Sequence, residues 1–411
     1  MTKPYILLLG ASQDQRFIIK TAREMGLGTV VIDANPDSPG FWDADMTGVV
    51  STRDPRAIIG FAESLNVPLK GVCVMGSDIP YIVAAIAKHF GWVSVSEETA
   101  RLATHKFLMK ERFRERGIPV PNYALVQSAE EVYRHWQTWQ CPSVIIKPVN
   151  QAGSRGVRKI DQKADIEAAF QQADQMGEVI MEEFVPGLQI STESVITPTQ
   201  STTPGFADRV YTDTEQFWPQ ILENGGWIPT CLNANQQKTV CDLVENAARA
   251  LGIEQGIAKG DVVICPKRGP MIIEMAARLS GGDFSETMVP KGTGVNYVKA
   301  ALQIALGEDL DWNDLTPKFI KPIANRYFFA PPGNLEEIQG TEEVLRWPEI
   351  VKFDLWYQVG DVLPLITHHG ARTGVFILQG QSREHLQTLI DHVYGTVKFK
   401  IDGKWQYARP S

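Results

Sequence analysis

The stretch Ile145-Ile-Lys147-Pro-Val-Asn-Gln-Ala-Gly153-Ser-Arg-Gly156-Val157 decides how this chain is read. Its first half is an apolar strand ending on a lysine; its second half is a loop in which two glycines flank Ser154 and Arg155. Such a loop lets backbone N–H groups converge on phosphate oxygens, and a lysine anchored at a strand end adds a fixed positive charge. It is not the Gly-x-x-x-x-Gly-Lys-Ser/Thr loop, which occurs nowhere in the chain. Here the loop joins a strand over 143–147 to a return strand over 157–160, so it reads as a flap. By itself it is equally an ordinary glycine hairpin with a solvated Lys147.

A second feature lies downstream. Asp261 stands in the apolar run Gly260-Asp-Val-Val-Ile264, and Glu274 in Met271-Ile-Ile-Glu-Met-Ala-Ala-Arg278. Pro266-Lys-Arg-Gly-Pro270 joins the two runs as a hairpin, which places two hard oxygen ligands on one sheet face, as a magnesium ion bridging phosphates requires. An acid inside an apolar strand needs a partner, and a lysine or arginine serves as well as a metal. Arg278, followed by Ser280-Gly-Gly282, adds a planar cation suited to phosphoryl or carboxylate oxygens.

Outward from these motifs the chain alternates strand and helix at its start. Strands are expected at 5–9, 29–33 and 71–75 and helices at 17–26, 55–65 and 79–90, which means a parallel, doubly wound sheet. Gly10 and Asp33 sit where a dinucleotide-binding unit keeps a turn glycine and a ribose acid, but the turn Gly10-Ala-Ser-Gln-Asp-Gln15 has one glycine rather than three. Without them the backbone cannot approach a pyrophosphate, so a scaffold or substrate-facing role is expected. Helices follow at 97–102 and 105–117, then the flap motif, a helix at 163–176 and a strand at 179–185. A helix at 236–251 and the Asp261 and Glu274 strands come next. The last hundred residues read as a separate α+β unit, entered through the Pro-containing stretch 314–322.

Composition narrows the function classes. In 411 residues, 44% are hydrophobic and 21% charged, values of a soluble globular chain of two or three domains. Forty basic against forty-eight acidic residues give a net charge of −8, which argues against a dedicated nucleic-acid binder but not against a local basic pocket. No targeting or membrane-spanning segment is read, and the five scattered cysteines form no Cys-x-x-Cys pair, so free thiols in a cytoplasmic protein are expected.

With these residues in hand, the chain resembles the ATP-grasp superfamily. Thr104-His-Lys106, Lys147 with the Gly153-Ser-Arg-Gly156 flap, Met181-Glu-Glu-Phe-Val-Pro-Gly187, Ser191-Thr-Glu193, Asp261, and Glu274 to Arg278 occur in the family's order. The resemblance implies an α/β and α+β chain: a pre-ATP-grasp domain over 1–103, the grasp domain over 104–313 with a lid at about 120–185, and a C-terminal domain over 314–411. It implies ATP and Mg²⁺ as cofactors, with Mn²⁺ as an alternative. Lys106 and Lys147 would contact phosphates, with Gly153, Ser154, Arg155 and Gly156 closing over them. Glu182, Glu183, Phe184 and Val185 would be the hinge strand along adenine, Glu182 and Val185 foremost, and Gln189 the ribose contact. Asp261 and Glu274 would hold metal, and Arg278, with Lys147, would serve catalysis on the transferred phosphoryl. Two departures stand out. Gln189 replaces a common Glu, and Ala276 occupies the middle of Glu-x-Asn-x-Arg, where it cannot ligate a second metal.

The segment 208–230, with Trp218-Pro and Glu223-Asn-Gly-Gly-Trp-Ile-Pro229, resembles the substrate-facing part of the carboxylate–amine ligases that join amino acids. Trp347-Pro-Glu-Ile-Val351, Val359-Gly-Asp361 and Arg372-Thr-Gly374 echo their C-terminal domain. The implied activity is amide formation through an acyl phosphate, from a small-molecule carboxylate and an amine, with no nucleic-acid or membrane partner and a homodimer left open. Substrate contacts are expected from Glu223, Lys259, Arg278, Ser280, Gly281 and Gly282. Two alternatives stay open: an ATP-grasp enzyme activating formate or bicarbonate, and a non-catalytic nucleotide-binding protein. Trp218, Trp227, Trp356 and Tyr357 are expected in the core more than in a pocket. His368-His369 reads as a surface loop, because neighbours on a strand point to opposite faces.

Overall fold

In the computed structural model, which describes residues 3–410, the N-terminal unit is a four-stranded parallel sheet. Its strands run Met46–Val49, Gly28–Asp33, Tyr5–Leu9, Leu69–Val74 in spatial order. The Met46–Val49 strand went unread because its four residues include Thr47 and Gly48 and give no apolar run. Asp33 is a turn brace rather than a ribose acid: its Oδ2 accepts the Ala11 N–H at 2.8 Å and its Oδ1 that of Asn35 at 2.9 Å. The Gln15 side chain fills the space beside Gly10 and donates to the Met75 carbonyl at 3.0 Å, which leaves no room for a pyrophosphate in the turn.

The lid is a four-stranded antiparallel sheet, Tyr123–Val126, Val179–Glu183, Val144–Pro148, Arg158–Ile160, whose inner face packs on the helices Ala129–Trp139 and Ile166–Asp174. Val132, Val144, Ile146, Ala173 and Met181 are fully buried there, a small core of its own under the flap.

The body of the molecule is an eight-stranded antiparallel sheet, in the order Gly269–Ala276, Gly256–Cys265, Leu188–Ile196, Ser201–Arg209, Gly226–Ile228, Ile323–Phe328, Gly374–Gln379, Ile350–Leu355. The last three strands come from the segment expected to stand apart. Gly226–Ile228 pairs with Ile323–Phe328, so the sheet runs across position 314 without a break. A smaller sheet and the helix Arg383–Thr396 complete the α+β content of that segment. No helix among the described residues is long and apolar enough to cross a membrane.

The N-terminal unit docks through a shared apolar core, in which Ile6, Leu8 and Ile18 meet Val298 and Leu302, and through close backbone contact. Met75 forms an isolated parallel bridge with Leu279, the Gly76 N–H donates to the Leu279 carbonyl at 3.1 Å, and a Cβ on Gly281 would lie 3.1 Å from the Gly76 Cα. Glycines at both positions allow this approach. It brings the carboxyl end of the parallel sheet, where ligands of open α/β sheets bind, against the end of the Glu274 strand and the loop after it that carries Arg278.

Candidate active site

Strand register builds the centre of the site. Asp261 and Glu274 are direct partners across the hairpin, with a bulge just after Asp261, and Asp261 faces Ser191 on its other side. The Asp261 carboxylate lies between two cations, Lys259 Nζ at 2.5 Å and Arg209 Nη1 at 3.0 Å. Burial opposes its ionisation, but Arg209 and Lys259 outweigh that and hold it at about 2. Glu274 pairs with Lys106 Nζ at 3.1 Å, and the same ammonium donates to the Gln151 carbonyl at 2.7 Å, at the root of the flap.

On the lid side Lys147 meets Glu182 at 2.8 Å, and Lys110 approaches the same carboxylate at 3.4 Å while donating to the Ile273 carbonyl at 3.0 Å. All three side chains are buried, so one anion serves two cations. Burial pushes Lys110 down to about 8, against the attraction of Glu182. Glu182 itself stays below the ordinary range: burial opposes its charge, and the two lysines outweigh burial. Glu183 turns away from the cleft to Arg268, at 2.6 Å, and Asn122, at 3.0 Å. The backbone N–H groups of Glu183 and Phe184 are already donated, to the Asn122 carbonyl at 2.8 Å and the Ser143 carbonyl at 3.1 Å.

The flap is shaped by left-handed backbone at Gly153, Ser154 and Gly156, with φ of 67°, 61° and 69°. A side chain at Gly156 would press on Pro148 and Met176 at 2.9 Å, so glycine is required there for space as well as conformation. The Gly153 carbonyl accepts the His369 N–H at 3.1 Å, which ties the flap to the C-terminal segment.

These side chains enclose two adjoining chambers. The first is lined by Lys106, Lys147, Gly153, Ser154, Glu182 through Val185, Gln189, Asp261 and Glu274. The second, about 350 Å³, is lined by Arg155, Glu223, Ser280, Gly281 and Gly282 among others. Asp78, Arg209, Lys259, Arg278 and His369 line both and form the shared wall. Every site residue read from the sequence therefore lies at this cleft or within its flap. Two placements differ from expectation: Arg155 lines the second chamber rather than the first, and Gly156 lies behind the flap against Pro148.

In the shared wall Arg278 is held by Asp78 of the N-terminal unit, Nε to Oδ1 at 2.7 Å. The 280–282 loop is anchored from beneath by Glu193. That fully buried carboxyl accepts from the Ser280 N–H, the Tyr297 hydroxyl and the Ser285 hydroxyl, the last at 2.9 Å. Burial raises its pKa more than these donors lower it. The Ser280 hydroxyl is itself buried without a partner.

His369 is not on a surface loop. It belongs to a 3₁₀ turn, His369–Ala371, where the alternation of a strand does not apply. Its Nε2 accepts the Glu223 N–H at 3.3 Å, and burial, then Arg372 and Arg209, push the imidazole well below its ordinary range. Of the four aromatics, Trp227 is core, Trp218 is stacked under Lys159 at 3.3 Å, and Tyr357 packs on the C-terminal core. Trp356 instead lines a cavity. Sequence reasoning missed Asp78, Arg209 and His369. Asp78 carried a signal, since it follows the carboxyl end of a parallel strand; Arg209 and His369 carried none.

No group of three or more His, Cys, Asp or Glu side chains fit to hold a metal occurs among the described residues. Two facing carboxylates remain, and Asp261 Oδ1 has no well-formed hydrogen bond, only the ion pair to Arg209 Nη1 at 3.0 Å. That donor set fits one Mg²⁺ completed by phosphate oxygens and water. Ala276 offers no second ligand, and its register partner is Lys259.

Comparison with known proteins bears on the family and the fold. Residues 103–282 match the ATP-grasp domain family, and residues 326–402 match the L-amino acid ligase C-terminal domain 2. The uncharacterized protein y4rH of Sinorhizobium fredii is 23% identical over 420 residues, 98% of this chain and 84% of its own. The L-arginine-specific L-amino acid ligase of Bacillus subtilis is 23% identical over 288 residues, 68% of this chain and 67% of its own. Among solved structures, the L-amino acid ligase from Bacillus licheniformis superposes with a TM-score of 0.82 at 18% identity, over 97% of this chain and 99% of that one. The chain is built from an ATP-grasp domain followed by an L-amino acid ligase C-terminal domain, the make-up of an ATP-dependent carbon–nitrogen ligase.

Proposed function

We propose that the chain joins a carboxylate to an amine through an acyl phosphate, releasing ADP and inorganic phosphate, with at least one substrate amino-acid-like. One observation carries this reading: a phosphate-type chamber and a polar second chamber share a wall made of Arg278, Lys259 and Arg209. A carboxylate entering from the second chamber meets the nucleotide's terminal phosphate at that wall. The carboxylate oxygen bonds to the γ-phosphorus as the bond to ADP breaks. The amine nitrogen then bonds to the acyl carbon, the carbon–oxygen bond to phosphate breaks, and one proton is released.

Such chemistry needs alignment and charge neutralisation more than a protein nucleophile. Lys106 and Lys147 neutralise phosphates, and Arg278, braced by Asp78, is aimed at the transferred phosphoryl. Glu182 to Val185 form the hinge edge along adenine, with the Val185 N–H as donor, and Gln189 reaches the ribose. Asp261 and Glu274 would hold Mg²⁺, which supplies charge neutralisation between phosphates. Closing the 153–156 flap excludes water, to which an acyl phosphate would be lost. Glu223 and the 280–282 loop, with the unpartnered Ser280 hydroxyl, face the substrate. The match of residues 326–402 to a ligase C-terminal domain favours this reading over formate or bicarbonate activation.

The test is a phosphate-release screen of carboxylates against amines, read by mass spectrometry, together with Glu274→Ala. The variant should keep the fold and lose turnover and Mg²⁺-dependent nucleotide binding. Near-normal turnover would remove Glu274 from the metal site, and no phosphate release from any pair would sink the ligase reading.

A further inference from the structure

The substrate-facing loop ends on a strained turn. Gly282 and Asp283 are both left-handed, with φ of 65° and 69°. Glycine adopts that conformation freely, whereas a residue with a Cβ does so at a cost. Among the described residues, Gln140, Ser154, Asp283 and Asp402 are the non-glycines with positive φ. Of these only Asp283 is buried, at 3% exposure. Such backbone persists only where the surrounding contacts over-determine it, and it clusters at functional sites.

The decisive contact of Asp283 comes from far along the chain. Its N–H donates to Glu286 Oε1 at 2.9 Å and its carbonyl accepts the Met288 N–H at 2.8 Å, which fixes the turn that follows. Its carboxylate accepts from the Thr287 hydroxyl at 3.3 Å and from Lys352 Nζ at 2.8 Å. Lys352 is its only ion-pair partner among the described residues. The same ammonium meets Asp354 at 3.1 Å and Asp14 at 4.0 Å. It therefore joins the Gly10–Gln15 turn of the N-terminal unit, the substrate loop and the edge strand Ile350–Leu355. Burial opposes the charge of Lys352, but Asp283, Asp14 and Asp354 outweigh burial and raise its pKa.

Ser280, Gly281, Gly282 and Phe284 line the second chamber, while Asp283 and Lys352 line neither chamber. The loop is thus tied at one end by Glu193, through Ser280, and at the other by Lys352, through Asp283. Without the ammonium a buried carboxylate would stand uncompensated. It could reach water by leaving the left-handed turn, and that would swing Gly281 and Gly282 out of place.

We propose that Lys352 is a positioning residue: acting through Asp283, it holds the 280–282 loop in the shape that presents a substrate to the shared wall. The inference rests on the ligase reading for what the loop meets, and not for what holds the loop.

The test takes the full-length wild type, Lys352→Met, Asp283→Asn and the double variant. It measures kcat, Mg·ATP affinity and hydrogen–deuterium exchange over residues 278–288. Asparagine is neutral and tolerates left-handed backbone, so Asp283→Asn removes the charge, keeps the turn and should hold kcat within about fivefold of wild type. Lys352→Met should speed exchange at 280–283, leave Mg·ATP affinity unchanged and lower kcat about a hundredfold, the cost of a misplacement of about 1 Å. The double variant, freed of the unpaired charge, should regain at least about tenfold of that loss and slow the exchange again. A double variant as slow as Lys352→Met overturns the proposal, because Lys352 then acts on something other than Asp283. So does a Lys352→Met protein with wild-type kcat and exchange. Should Lys352→Met fail to fold or to bind Mg·ATP, the double variant decides: recovered kcat upholds the proposal, and recovered folding without kcat, or recovery of neither, overturns it. If the wild type releases no phosphate with any carboxylate–amine pair, the ligase reading fails by itself, and exchange in the variants still upholds or overturns the Lys352–Asp283 anchor.

Discussion

Replacing Glu182 by Gln would test how the phosphate side of the site is held together. The side chain keeps its shape and an acceptor oxygen but loses the charge that now serves Lys147 and Lys110, at 2.8 and 3.4 Å. Removing one partner of a buried ion pair costs about 3–5 kcal/mol, because the other charge is left uncompensated. How that cost divides can be worked out. Lys110 already sits at about 8, so at pH 7.5 it can shed its proton for less than about 1 kcal/mol more. Lys147 therefore bears most of the loss. Urea unfolding followed by far-UV circular dichroism should show Glu182→Gln destabilised by about 3–5 kcal/mol at pH 7.5. Adding Lys110→Met to that variant should change little, since Lys110 would already be neutral. Mg·ATP, as a polyanion beside Lys147, should restore more stability to the variant than it adds to the wild type. A Glu182→Gln protein within 1 kcal/mol of wild type would refute the reasoning.

Two further outcomes follow from single contacts. Gly281→Ala places a Cβ 3.1 Å from the Gly76 Cα, so it should loosen the docking of the N-terminal unit, destabilise by about 1–3 kcal/mol and raise the substrate KM several-fold. An unchanged KM and melting temperature would mean that the loop has room to move. His369 is held neutral in the folded state, with its pKa below the unfolded value of about 6.5. Below that pH the unfolded chain gains a proton the folded chain refuses, so stability should fall as pH drops from 6.5. In His369→Gln the slope of melting temperature against pH between 6.5 and 5 should be shallower than in wild type; parallel slopes would show that His369 does not contribute.

Much of this site was legible in the sequence, for identifiable reasons. The strand–lysine–glycine flap, ambiguous alone, becomes legible through the ordered motifs that follow it, and the Asp261–Glu274 pairing follows from a short hairpin joining two apolar strands. The unread parts depend on long-range placement. Arg209 neutralises Asp261 only because two distant strands, Ser201–Arg209 and Gly256–Cys265, both flank Leu188–Ile196. His369 and Arg372 were out of reach because the sheet continues into the C-terminal segment and carries their turn back over the flap. The helix Ala129–Trp139 also went unread, although Ala129, Val132, Tyr133, Trp136 and Trp139 form a regular apolar stripe that packs on the lid core.

The most direct measurement of the central claim uses a donor labelled with ¹⁸O in both carboxylate oxygens. If the carboxylate is phosphorylated and then attacked by the amine, the released inorganic phosphate carries one ¹⁸O and the amide product keeps the other. Phosphate without label, or release of AMP and pyrophosphate, would contradict the account.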